Sequence, residues 1–162
     1  MNKTAWLLAA SLVLSTTGCV RMIMPTSIEQ LEQRAFEGKR ETVIDVNYVE
    51  AYRNLKRYYD KCINDRHSYN NPSWVKSELN READTASFTS TLPYNTYVFQ
   101  MNLTAQGENQ TQVRFIRAKP KVSIAPPSKT RQASALEADF KFIHKMSRLK
   151  PEDWKHCSDI DY

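Results

Sequence analysis

The chain has 162 residues, 41% of them hydrophobic and 25% charged, with a formal net charge of +5. That length suits one folded domain and not comfortably two. The mild basic excess is scattered through Lys39-Arg40, Arg53/Lys56/Arg57 and Lys119/Lys121, without a zinc-finger, helix-turn-helix or RNA-binding signature, so no nucleic-acid partner is expected.

At the N-terminus, Met1-Asn2-Lys3 sets one positive charge ahead of an apolar run from Ala5 to Leu14, which closes on Ser15-Thr16-Thr17-Gly18. This is the layout of a secretory signal peptide, and the run is too short to span a bilayer. The sequence Thr16-Thr17-Gly18-Cys19 resembles the lipobox of bacterial lipoprotein precursors, with Thr16 where that family usually has Leu. The resemblance implies cleavage before Cys19, a diacylglycerol on its sulfur and, in Gram-negative cells, a third acyl chain on the new amine. Residues 1–18 are then a signal peptide, and the one attached group is the covalent lipid on Cys19. At about 0.8 kcal/mol per buried methylene, two or three chains anchor a domain durably. In the sorting pattern of such lipoproteins Asp after the cysteine favours the inner membrane. Val20 therefore implies the outer membrane, periplasmic side.

With Cys19 lipidated, Cys62 and Cys157 remain. A lone pair in an oxidising compartment, without CxxC spacing, is expected to form a structural disulfide. It would close a loop of roughly 95 residues, worth about 4 to 5 kcal/mol in the chain-entropy account.

Residues 19–40 read as a lipidated tether with one short helix. Ser27 stands three before Gln30, a capping-box spacing, and Ile28, Leu31 and Ala35 share a face before Gly38. The domain proper is expected over 41–162. Thr42–Val46 is β-branched and reads as a first strand. After it, Asn47 can cap a helix whose Tyr48, Tyr52, Leu55, Tyr59 and Cys62 form one stripe, the side expected to pack on a sheet. Residues 67–72 are a polar loop. Trp74–Arg81 is a weak strand candidate and Thr85–Leu92 a better one. Tyr97, Phe99, Met101, Leu103 and Ala105 alternate with Val98, Gln100, Asn102 and Thr104, residues 106–109 turn, and Thr111–Ala118 returns, which predicts a hairpin. A proline-containing loop runs from Lys119 to Lys129. Ser134 with Glu137 then predicts the start of a second helix along Leu136, Phe140, Ile143 and Ser147, stopped by Pro151. The predicted fold class is α+β: a small antiparallel sheet of three to five strands packed by two helices in two layers, an order that allows a helix-grip arrangement.

No catalytic set is visible. His144 and His156 with Asp153 or Asp159 lack ligand spacing, so no metal site is expected. There is no GxSxG, and three glycines cannot build a phosphate loop. Glu78, Glu82 and Asp139 are carboxylates with nothing to distinguish them from surface groups. The reading that follows is a non-enzymatic, membrane-anchored envelope module with a protein partner in the envelope. Its alternative is a carrier of a small apolar or lipid ligand in a cavity between helix and sheet. Phe88, Phe99, Met101, Phe115, Phe140 and Ile143 would line that cavity.

Overall fold

The computed structural model describes residues 24–37, 40–65, 73–119 and 128–159. The expected signal peptide, Cys19, Gly38, residues 67–72 and most of the loop after Lys119 lie outside the described residues. Ile28–Gln33 forms α1. The Ser27 hydroxyl accepts from the Gln30 amide at 3.2 Å as its spacing predicts, but the Gln30 side chain accepts from the Thr26 amide, one residue earlier than a capping box requires.

Five strands, β1 (Glu41–Ile44), β2 (Trp74–Asn80), β3 (Thr85–Leu92), β4 (Thr96–Ala105) and β5 (Thr111–Arg117), make one antiparallel sheet in the order β1-β5-β4-β3-β2. The α+β class read from the sequence is the class observed. Strands β2 to β5 form a meander, and β1 returns to its far side, with Thr42 opposite Val113. Because side chains alternate across a pleat, the registers sort the two faces. Val75, Phe88, Met101, Phe115 and Val113 fall on one face and are buried there. Each large apolar side chain hidden this way contributes about 1.5–3 kcal/mol. The opposite face presents Lys76, Thr89, Gln100, Asn102 and Arg114, so most of it is polar.

One end of that polar face is covered. Ile116 and Ala118 pack with Leu31 and Ala35, and Tyr97 and Met24 lie against this second cluster. Tyr97 reaches it through a β-bulge. Ser90 opposes Phe99 and Thr91 opposes Tyr97, leaving Val98 as the extra residue of β4. The bulge shifts the period by one, so Tyr97 and Phe99 face opposite sides and the unbroken alternation expected from 97 to 105 holds only from Phe99 onward. The chain before β1 is tied to the same end. The Pro25 carbonyl accepts from Tyr97 N at 2.8 Å, the Arg34 carbonyl accepts from Lys119 N at 2.8 Å, and Ala35 bridges Ala118.

The dry face carries α2 (Tyr48–Tyr58) and α3 (Lys129–Arg148). Asn47 caps α2, its Oδ1 accepting from Val49 N at 2.9 Å, while its Nδ2 donates to the Glu108 carbonyl in the β4–β5 turn. Tyr48 Oη donates to Asp84 in the β2–β3 turn, so the start of α2 is fastened to both hairpins. The predicted stripe is the packed side: Tyr48, Leu55, Tyr59 and Cys62 are buried. After Tyr58 the helix widens into a π-helical turn, Tyr59–Asn64. The second long helix begins earlier than its capping signal suggests. Its cap is Ser128, whose hydroxyl accepts from Arg131 N, and Ser134 lies inside the helix. Lys129–Gln132 are good or neutral helix formers following a cap residue, and Gln132 is buried, so the helix extends to that end. Asn54, buried on α2, donates to the Ser147 carbonyl at 2.8 Å and links the two helices.

Cys62 and Cys157 are disulfide-bonded, with Cα atoms 5.7 Å apart. The bond fixes the end of the π-turn to the tail, where Trp154 is buried in the main core and Lys61 sits over its ring at 4.9 Å.

Candidate ligand-binding cleft

The two helices do not close completely over the sheet. Between α3, the end of α2 and the far ends of β3, β4 and β5 lies a cleft of about 640 Å³. Sites for small molecules commonly fall between about 300 and 1,000 Å³ with apolar walls and a few polar groups. Its floor is Val98, Phe99, Phe115 and Ser90 of the sheet, and its walls are Tyr58, Tyr59 and Ile63 on one side and Ala138, Phe142 and Ile143 on the other.

Local sequence explains each wall. The bulge leaves Val98 next to Phe99, so two consecutive residues of β4 line the cleft where regular pleating would offer one. The π-turn adds a residue to the helical turn after Tyr58, and both Tyr59 and Ile63 reach the wall. Aromatic rings form a continuous layer beneath. Tyr59 lies 5.8 Å from Phe99, Phe99 lies 5.4 Å from Phe115, and Tyr58 meets Phe142 edge-on at 4.9 Å. Such contacts hold ring orientation as well as burying area.

Polar groups stand at the rim. Arg117, the last residue of β5, donates from one nitrogen to both carboxylate oxygens of Asp139 on α3, each at 2.9 Å. Burial pushes the Asp139 carboxyl above its ordinary value, and the Arg117 guanidinium pulls it back by less. Lys141 and Lys145 also line the cleft, so its lining holds three cations and one carboxylate, with Lys141 paired to Glu137.

Of the six side chains expected to line a cavity, Phe99, Phe115 and Ile143 do so. Phe88 and Met101 have no exposure and fill the packed core, because they sit midway along β3 and β4 under α2. Phe140 borders a smaller cleft of about 310 Å³ with Thr42, Ala133 and Leu136. Sequence reasoning missed Tyr58, Ile63, Phe142, Arg117 and Asp139 as neighbours. Phe142 alone leaves a signal, since with Met146 and Leu149 it adds apolar residues beside the stripe of Leu136, Phe140 and Ile143. The carboxylates considered for catalysis are not brought together: Glu78 pairs with Lys76 on the edge strand, while Asp139 faces Arg117. Among the described residues no group of three His, Cys, Asp or Glu is placed to hold a metal ion.

A second depression, about 670 Å³, runs beside the exposed side of α2 and is lined by Arg53, Lys56, Arg57, Lys61 and Arg81 with Asp60 and Asp65. Its ion pair Lys56–Asp60 is exposed and of the ordinary i,i+4 kind. Val49, Tyr52 and Leu79 complete its lining, so charged side chains surround a small apolar patch, and among the described residues the cleft between α3 and the sheet has the more aromatic walls. No protein-family model matches the chain and no curated protein matches it in sequence.

Proposed function

We propose that this protein is a non-enzymatic lipoprotein of the bacterial envelope, anchored through Cys19 to the periplasmic side of the outer membrane, that binds a small apolar or lipid ligand in the cleft. The signal-peptide layout and Gly18-Cys19 support the anchor. Of the two binding roles expected, a protein partner or a small ligand, the cleft favours the second. A volume of about 640 Å³ with walls of Phe99, Phe115, Phe142 and Ile143 suits an acyl chain or ring system, and this observation carries the reading. The rim of Arg117, Lys141 and Lys145 gives a polar head a place to stay wet while the body is buried.

The test uses the full chain expressed with its own signal and incubated in vesicles with a long-chain lipid bearing a photoreactive group. The expected result is crosslinking to peptides containing Phe99, Phe115 and Phe142, lost in Ala138→Trp, where an indole added at an exposed position of α3 fills the cleft. Crosslinks that ignore the cleft, or survive Ala138→Trp unchanged, would overturn the binding reading. Intact mass of the same preparation tests the anchor: a mass raised by acyl chains, and reduced to that of the bare polypeptide in Cys19→Ala, is expected.

A further inference from the structure

Among the described residues three large hydrophobic side chains are conspicuously exposed: Trp74 at 49%, Tyr94 at 56% and Val43 at 45%. Val43 lies on β1 opposite Gln112, near the start of β5. Trp74 and Tyr94 share the other end of the sheet. Trp74 opens β2 opposite Thr91, and Tyr94 lies at the tip of the hairpin that follows Leu92.

The tip is built against local preference. Tyr94 has φ +66° and Asn95 +55°, the left-handed conformation at two consecutive residues. That pattern makes a tight hairpin, and Asn suits it, but a bulky aromatic is rare there because its Cβ crowds the backbone. The cost holds a phenol ring at the outermost point of the sheet.

The N-terminal segment enters at this same end. Pro25 is hydrogen-bonded to Tyr97, and Val98 beside it lines the cleft. Trp74 is two strands across from Tyr97, about 10 Å at ordinary strand spacing. Cys19 lies six residues before Pro25, a span of at most about 20 Å for extended chain. An anchor at Cys19 therefore cannot hold the membrane far from Trp74 and Tyr94.

We infer that the end of the sheet carrying Trp74 and Tyr94 seats in the headgroup region of the bilayer, presenting the cleft to lipid. Trp and Tyr favour that region because each combines an apolar ring with a polar atom that stays hydrated. The inference rests on the anchoring proposed above and adds the orientation of the domain.

The test places the purified full chain in vesicles of phosphatidylethanolamine and phosphatidylglycerol, some lipids carrying a nitroxide near the headgroup. The Trp74 contribution is the emission lost in Trp74→Phe, a mild change at an exposed site. The expected result is loss of that contribution when nitroxide lipids are present, and recovery in Tyr94→Ser, which removes the second contact. Protein that floats with the vesicles while its Trp74 emission is untouched by nitroxide would overturn the seating and leave the anchor standing. Protein that does not float with the vesicles at all would overturn both.

Discussion

Asp139 illustrates how one residue can work against the fold and yet belong to a site. Its carboxyl is mostly buried at the cleft rim, and the desolvation of its charge outweighs the attraction of Arg117, so its pKa lies above the ordinary value. The folded state then binds a proton more readily than the unfolded state, and this residue's contribution to stability falls as pH rises through the range just above ordinary carboxylate values. Asp139→Asn is expected to leave the melting temperature at neutral pH unchanged or higher, since Arg117 is partly exposed and can hydrate. It should also flatten the dependence of stability on pH just above the ordinary carboxylate range. Thermal unfolding across that range checks both, and a melting temperature that drops at neutral pH would refute the account. The residue gave no sign of this role in the sequence, where it was one acidic group in a charged helix; its neighbour Arg117 comes from 22 positions away.

At the scale of elements, the edge strand β2 and the π-turn depend on each other. Asn64 closes the turn and offers its side-chain amide to the strand: Nδ2 donates to the Val75 carbonyl and Oδ1 accepts from Val75 N, both at 2.9 Å. One side chain thus imitates a neighbouring strand and occupies part of an edge that would otherwise present open backbone groups. Asn64→Ala removes two half-buried hydrogen bonds and is expected to cost about 1–3 kcal/mol. Denaturant unfolding measures the loss, and hydrogen exchange should show faster exchange at the start of β2. Element type was largely legible from the chain. Periodicity located β3 and the packed side of α2, and Asn47 caps as its position implies. Where the reading failed, competing local signals were the cause. Ser134 with Glu137 has capping spacing, but the helix already runs through it from Ser128. The break at Val98 is invisible to alternation because Tyr97 is apolar on either face.

For the molecule as a whole, the disulfide ties the π-turn after α2 to the tail across 95 residues of sequence. By restricting the unfolded chain, such a link is worth about 4 to 5 kcal/mol. Cys62→Ser with Cys157→Ser is therefore expected to lower unfolding free energy by an amount of that order. A disulfide-intact and a reduced sample compared by denaturant titration provide the measurement, and equal midpoints would rule out a stabilising role. The same link bears on the cleft, because Tyr59 and Ile63 in its wall flank Cys62 on the π-turn.

The sequence by itself determined what local chemistry can encode: the strand and helix types, the apolar side of each element, and Cys62 and Cys157 as a disulfide pair. The elements and their apolar sides follow from hydrophobic period and capping residues within short windows. Only the tertiary structure decided which apolar side chains became core and which became wall. Phe88 and Phe99 occupy the same face of the sheet, yet one is sealed under α2 while the other lines a gap left between helices. That outcome depends on a bulge, a widened helical turn and the approach of α3, all of which bring together residues remote in sequence. Trp74, Tyr94 and Pro25 likewise share one end of the molecule through strand register, which no single stretch of the chain contains.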